Sequence, residues 1–196
     1  MQLSQDEEEV FFDVEIIRKK RIISGKIFDD LSEFKNKVSA LLQNTHKEHF
    51  ISQYTENYPK ISRGENYKGL PYFMFDYPRV FNPQNTFAIR TMVYWGNFYS
   101  FTLQVAGENQ IFLAEKILTD IQSFSDFYCC VNETPWEHHY NSDNFQLIRS
   151  LDEIELKKIL LKKTFFKLSI PYKLSDYQNL HQNGLLFYKK IISLLN

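Results

Sequence analysis

Cysteine is nearly missing from this 196-residue chain, and the two present, Cys129 and Cys130, are neighbours. Adjacency excludes an ordinary long-range disulfide and matches neither the CxxC redox spacing nor a zinc ribbon. The plain reading is a pair of buried strand residues, with a vicinal redox switch as the alternative. An excess of either charge is lacking too: 23 Lys and Arg stand against 24 Asp and Glu, a formal net charge of −1. No basic field is available to hold nucleic acid or a membrane surface. No apolar run approaches membrane-spanning length, and Met1–Glu9 is acidic where a secretory leader needs a basic start. Together these predict a soluble, cytoplasmic protein that binds neither nucleic acid nor membrane.

Signatures of chemistry are equally scarce. Neither phosphate-cradling spacing, GxGxxG or GxxxxGK[ST], occurs, nor do HExxH, HxH, a paired CxxC or a GxSxG elbow. No cofactor is expected. Five histidines remain. His46 and His49 are three apart and can share a helix face; His138 and His139 lie beside Glu133, Trp136 and Glu137 in a loop broken by Pro135. Zinc needs three or four converging ligands, and adjacent histidines diverge on any regular element, so surface or capping roles are expected and no metal.

Aromatic residues, by contrast, are abundant: 18 Phe and 12 Tyr, 16% of the chain with Trp, which predicts a core built from large rings. At 43% hydrophobic over 196 residues the chain is long enough for one substantial core. We expect residues 1–196 to form a single α+β domain, its antiparallel sheet built round a central hairpin at about 86–106 and covered by amphipathic helices.

That hairpin joins Phe87–Trp95 to Phe98–Val105 across Gly96-Asn97, where glycine at the first loop position suits a type II′ turn. A two-residue loop pairs Trp95 with Phe98, Tyr94 with Tyr99, Met92 with Phe101, Arg90 with Leu103 and Ala88 with Val105. Arg90 is then predicted on the more apolar face. A buried guanidinium cannot shed its charge and needs an acceptor. Asp76, in the run Tyr72–Tyr77 that ends at Pro78, is the nearby carboxylate. Two readings follow: a structural Arg90–Asp76 pair, or an arginine that faces a cavity and grips an anionic group bidentately. The preceding segment Lys60–Pro71, with two glycines, a proline and three cations, has loop composition and can fold over such a site. Arg63, Lys68 and, from the turn-rich segment Pro78–Asn85, Arg79 are candidates to join Tyr67, Asp76 and Arg90 around one small anionic or polar ligand.

The stretches Lys60–Tyr72, Asp76–Arg79, Phe87–Met92 and Trp95–Phe98 together resemble a family of small uncharacterised bacterial proteins. The resemblance covers about a quarter of the chain, from Lys60 to Phe98. It implies a bacterial, cytoplasmic origin and brings with it no established activity and no catalytic residue.

Helical signals flank the sheet. Ser4-Gln5-Asp6-Glu7 is a capping box opening a helix over Val10, Val14 and Ile17, ended by Arg18–Arg21; a second helix, N-capped by Asp30, carries Leu31, Phe34, Val38 and Leu41/Leu42. Residues 111–124 and 152–163 read as helical, 127–131 and 165–171 as extended. Ser175–Gln178 reads as a further capping box opening a final helix that buries Leu180, Gly184, Phe187, Ile191 and Leu194. Gly184 on that apolar stripe predicts close approach to another element.

Three functional readings stand at this level. The preferred one is a noncatalytic module for a small anionic or polar ligand, gripped by Arg90 beneath the Lys60–Tyr72 segment. The alternatives are a hydrolase-type enzyme using Asp76, Glu65 or a histidine-bearing metal site, and a protein–protein adaptor using exposed Trp95, Phe98 and Trp136. The sequence leaves oligomeric state open.

Overall fold

In the computed structural model, residues 1–45, 50–82 and 85–195 are described. Seven strands make one antiparallel sheet in the order β1 (Lys60–Tyr67), β2 (Leu70–Phe81), β3 (Asn85–Tyr94), β4 (Phe98–Gly107), β7 (Phe165–Lys173), β5 (Tyr128–Cys130) and β6 (Phe145–Leu147). One face carries Phe73, Phe75, Ile89, Val93, Tyr99, Phe101, Leu103 and Phe166. These pack under α2 (Val14–Gln43), α3 (Gln110–Thr119), the short α4 (Glu153–Lys157) and α5 (Leu180–Leu194) in the main aromatic core. The α+β class with a helix-covered antiparallel sheet is therefore observed.

Register is where the structure departs from the sequence reading. Tyr94, not Trp95, pairs with Phe98, which makes the hairpin tip three residues long, Trp95-Gly96-Asn97. Asn97 N donates to Tyr94 O at 3.1 Å, and Gly96 has φ +69°, the left-handed conformation that a type II turn requires at its third position. The one-residue shift moves β3 by one side chain against β4. Arg90 accordingly faces Thr102, and Phe87, Ile89, Thr91 and Val93 take the helix-covered face. Arg90 is on the opposite, mixed face.

The Lys60–Pro71 segment is not a loop. It is β1 and the start of β2, joined by Lys68-Gly69, both at positive φ (47° and 85°), with Tyr67 paired to Leu70. This is the geometry of a type I′ turn, whose twist matches the flanking strands. Likewise β2 continues through a cis Tyr77–Pro78 bond and a bulge between Asp76 and Arg79, so most of the segment predicted as a second loop is strand.

The N-terminal helices also divide differently. The capping box is formed, Ser4 N to Glu7 Oε2 at 2.8 Å and Glu7 N to Ser4 Oγ at 3.3 Å, but α1 (Gln5–Phe12) stops at Asp13. Asp13 then caps α2 through Glu15 N and Ile16 N. α2 runs 30 residues, about 45 Å at 1.5 Å per residue. Asp30 is inside it rather than capping it, and Arg18–Arg21 lie in its second turn rather than at a helix C-terminus. The sheet-facing stripe Lys20, Ser24, Ile27, Leu31, Phe34 and Val38 alternates steps of three and four with no proline to break it, so nothing stops the helix. At the other end, Leu174–Asn179 is a 3₁₀ turn, and α5 starts after Asn179 without a side-chain cap.

Candidate functional site

Two places concentrate polar chemistry. The first is the mixed face of the sheet, covered by the loop 131–144 that links β5 to β6. Its neck is closed by Val131 N donating to Asn144 O at 2.8 Å. Beneath it Arg90 meets Asp76, its direct cross-strand partner, through Nε–H to Oδ1 (2.7 Å) and Nη2–H to Oδ2 (3.0 Å). Arg90 Nη1 lies 3.4 Å from His138 Nε2. A guanidinium only donates, so Nε2 is the acceptor and the ring proton is on Nδ1. Burial, then the cations Lys167 and Arg90, hold the His138 pKa well below its ordinary 6.5, so the ring is neutral.

Lys167 is 1% exposed and aims at the same loop, donating to Pro135 O (3.0 Å) and Glu137 O (2.6 Å). Desolvation lowers its pKa to about 8. From β1, the Tyr67 hydroxyl accepts from His138 N (2.8 Å) and His139 N (3.1 Å) and donates to Glu137 Oε2 (3.0 Å). Lys68 Nζ completes this group 3.4 Å from the same carboxylate. Burial drives the Tyr67 pKa up to about 12, which keeps the hydroxyl protonated for that donation. Tyr140, Ser169 and Thr102 form a further hydroxyl chain, Thr102 Oγ1 to Ser169 Oγ at 2.6 Å.

The structure thus brings Asp76 to Arg90, and Tyr67 and Lys68 to Glu137. Arg79 is half-buried on the Arg90 side of the sheet, opposite Ala88. Arg63 does not join them: it pairs with core-facing Phe73 and is exposed on the helix side of the edge strand. Glu65 pairs instead with Lys20 of α2 at 2.5 Å. His46 and His49 lie outside the described residues, and among the described residues no three His, Cys, Asp or Glu side chains group as metal ligands. The donors of Arg90 and Lys167 are directed at Asp76, His138 and loop carbonyls. Their arrangement is a bracket that fastens residues 135–139 to the sheet.

The second place is a cleft on the helix side, at the hairpin tip. Ile23, Ile27, Val93, Trp95, Leu174 and Tyr177 line a cavity of about 570 Å³, with Lys26, Asp30 and Gly96 completing its wall. The indole Nε1–H of Trp95 and the hydroxyl of Tyr177 are buried there with no hydrogen-bond partner. Burial raises the Tyr177 pKa, and the neighbouring Asp30 carboxylate adds to the rise by its charge and by its interaction with that hydroxyl. A buried donor left unmatched costs about 1–3 kcal/mol. Sequence reading named Trp95 only as an exposed aromatic and missed Tyr177. Neither the three-residue hairpin tip nor the unbroken α2 that shape this cleft was expected.

No known family, curated protein or solved structure matches the chain, so no family is identified for it.

Proposed function

We propose that this protein is a noncatalytic binding module, and that its site is the cleft between α2, the hairpin tip and Leu174–Asn179. Its ligand is a small, largely apolar molecule carrying a hydrogen-bond acceptor. One observation carries the reading: Trp95 Nε1–H is a buried donor without a partner on the wall of an apolar cleft, with the Tyr177 hydroxyl and Asp30 on the same wall. Pockets for small ligands combine an apolar lining with a few convergent polar groups. A carbonyl or carboxylate placed against Trp95 Nε1–H offsets its desolvation, while Ile23, Ile27, Val93 and Leu174 cover the apolar body. The arginine-gripped anion expected from sequence is the weaker reading, because the Arg90 donors are engaged by Asp76 and His138.

The chain has two tryptophans, Trp95 and Trp136, so the second serves as an internal control. ¹⁵N-labelled protein is titrated with octanoate and octanamide while both indole N–H resonances are followed. The proposal expects saturable movement of the Trp95 signal with Trp136 still, and loss of affinity in Trp95→Phe, which keeps an aromatic ring and removes the indole donor. An indole signal indifferent to both probes, together with a native mass spectrum free of any small-molecule adduct, sinks it.

A further inference from the structure

Between Val10 and Phe28 the chain leaves nine large apolar side chains exposed, Phe11 and Phe12 at 65% and 71% among them, and α1 buries no residue at all. Scattered exposed apolar residues are ordinary, but so many within one arm of the chain mark an interaction surface. α2 buries only Leu31, Phe34, Val38 and Leu42, all in its second half. The first half is covered only at Lys20, Ser24 and Ile27, where it crosses the β1 edge.

Charge says what covers the rest. From Gln5 to Glu15 every ionisable side chain is acidic: Asp6, Glu7, Glu8, Glu9, Asp13 and Glu15. From Ile16 to Phe28 every one is basic: Arg18, Lys19, Lys20, Arg21 and Lys26. Six negative charges followed by five positive ones complement a second copy of the same sequence run in the opposite direction. With a two-fold axis beside Ile16 and Ile17, Glu15 comes opposite Arg18 within α2, and the acidic α1 comes against the basic stretch of the partner arm. A closed two-fold interface demands this self-complementarity, because each patch must fit itself after rotation. An anionic membrane fits less well, since its surface attracts Arg18–Arg21 but repels the acidic half.

We propose that this protein associates with a second copy of itself through antiparallel packing of the α1–α2 arm centred on Ile16 and Ile17. The contacts inside one chain leave room for this. Arg18 to Glu15 (2.6 Å) and Lys20 to Glu65 (2.5 Å) are exposed pairs, and such pairs contribute about 0–1 kcal/mol and exchange readily. The inference stands independently of whether the Trp95–Tyr177 cleft holds a ligand.

Sedimentation equilibrium of the full chain tests it with two charge-reversed variants, Glu8→Lys with Glu9→Lys, and Lys19→Glu with Arg21→Glu. These sites avoid both helix caps, and circular dichroism checks that each variant folds. The wild type is expected to form a dimer of twice the 23.5 kDa chain, weakened by salt. Each variant alone is expected to dimerise at least about tenfold more weakly, the change that 1.4 kcal/mol produces. Mixing the two variants restores dimer, because the unaltered basic stretch of one variant then faces the unaltered acidic stretch of the other. A wild type that stays monomeric overturns the proposal, as does a dimer that both variants retain. Monomeric protein that co-sediments with phosphatidylserine vesicles overturns it in favour of a lipid surface.

Discussion

Phe34 of α2 packs over Gly184 of α5 so closely that a Cβ at position 184 would come 2.3 Å from its Cζ and 2.8 Å from Phe101 Cε1. Both rings are fully buried and already in contact with each other, so neither has space to retreat. The glycine is what lets α2, α5 and the sheet meet at one point. Gly184→Ala is expected to cost about 1–3 kcal/mol, the usual penalty of overpacking, seen as a melting temperature lower by several degrees. Gly25→Ala, in a helix interior with no atom within 4 Å of the new methyl, is expected to stabilise by about 0.5–1 kcal/mol.

The Asp76–Arg90 pair is a second test of the same kind. Its side chains are 8% and 13% exposed, so removing one partner strands the other's charge. Asp76→Leu and Arg90→Met are each expected to cost about 3–5 kcal/mol, and the double variant to recover much of the loss. Urea unfolding of the four proteins gives the coupling energy; additive losses would contradict a desolvated pair.

Acid sensitivity follows from His138. Its pKa is depressed in the folded state, so between that value and about 6.5 the unfolded chain binds more protons. The stability this ring contributes is complete above pH 6.5 and falls as pH drops through the window. Glu133 and Glu137, whose pKa values are lowered from 4.5, add their losses only at more acidic pH. Urea midpoints are expected to fall between pH 7 and pH 5 in the wild type and to stay level in His138→Gln, whose amide oxygen still accepts from Arg90.

Cys129 and Cys130 are fully buried strand residues, and burial pushes both thiols up from 9.0. Thiolate is the reactive form. Neither is expected to react with a maleimide at pH 8 except at the rate of unfolding, and labelling that outpaces unfolding would show a local opening of β5.

Much of the sheet was legible in the sequence, because alternation and Pro/Gly punctuation around residues 72–105 are local signals. The Asp76–Arg90 pairing followed from the same logic, although the face it occupies did not. A Gly-Asn dipeptide reads as a two-residue turn, and the structure instead takes Trp95 into the tip, where the indole belongs to the cleft wall. One residue of register inverts every inside–outside assignment on one strand, which is why Arg90 was placed among core residues. Lys60–Tyr67 escaped notice as a strand because edge strands carry little hydrophobic alternation. The 131–144 loop gave no sign of its anchors, since Lys167, Tyr67 and Arg90 reach it from three separate strands.

The strand order carries a consequence for synthesis. β7 lies between β4 and β5 yet is made almost sixty residues after β4. Until Phe165–Lys173 has left the ribosome, Phe98–Gly107 offers a bare hydrogen-bonding edge, and the Lys167 anchor for the 135–139 loop does not exist. The nascent protein therefore waits on one late strand to join its two halves, and non-local pairing of this kind is slow and exposed to aggregation. A strand made late and placed inside the sheet leaves the nascent chain open to mispairing until it arrives.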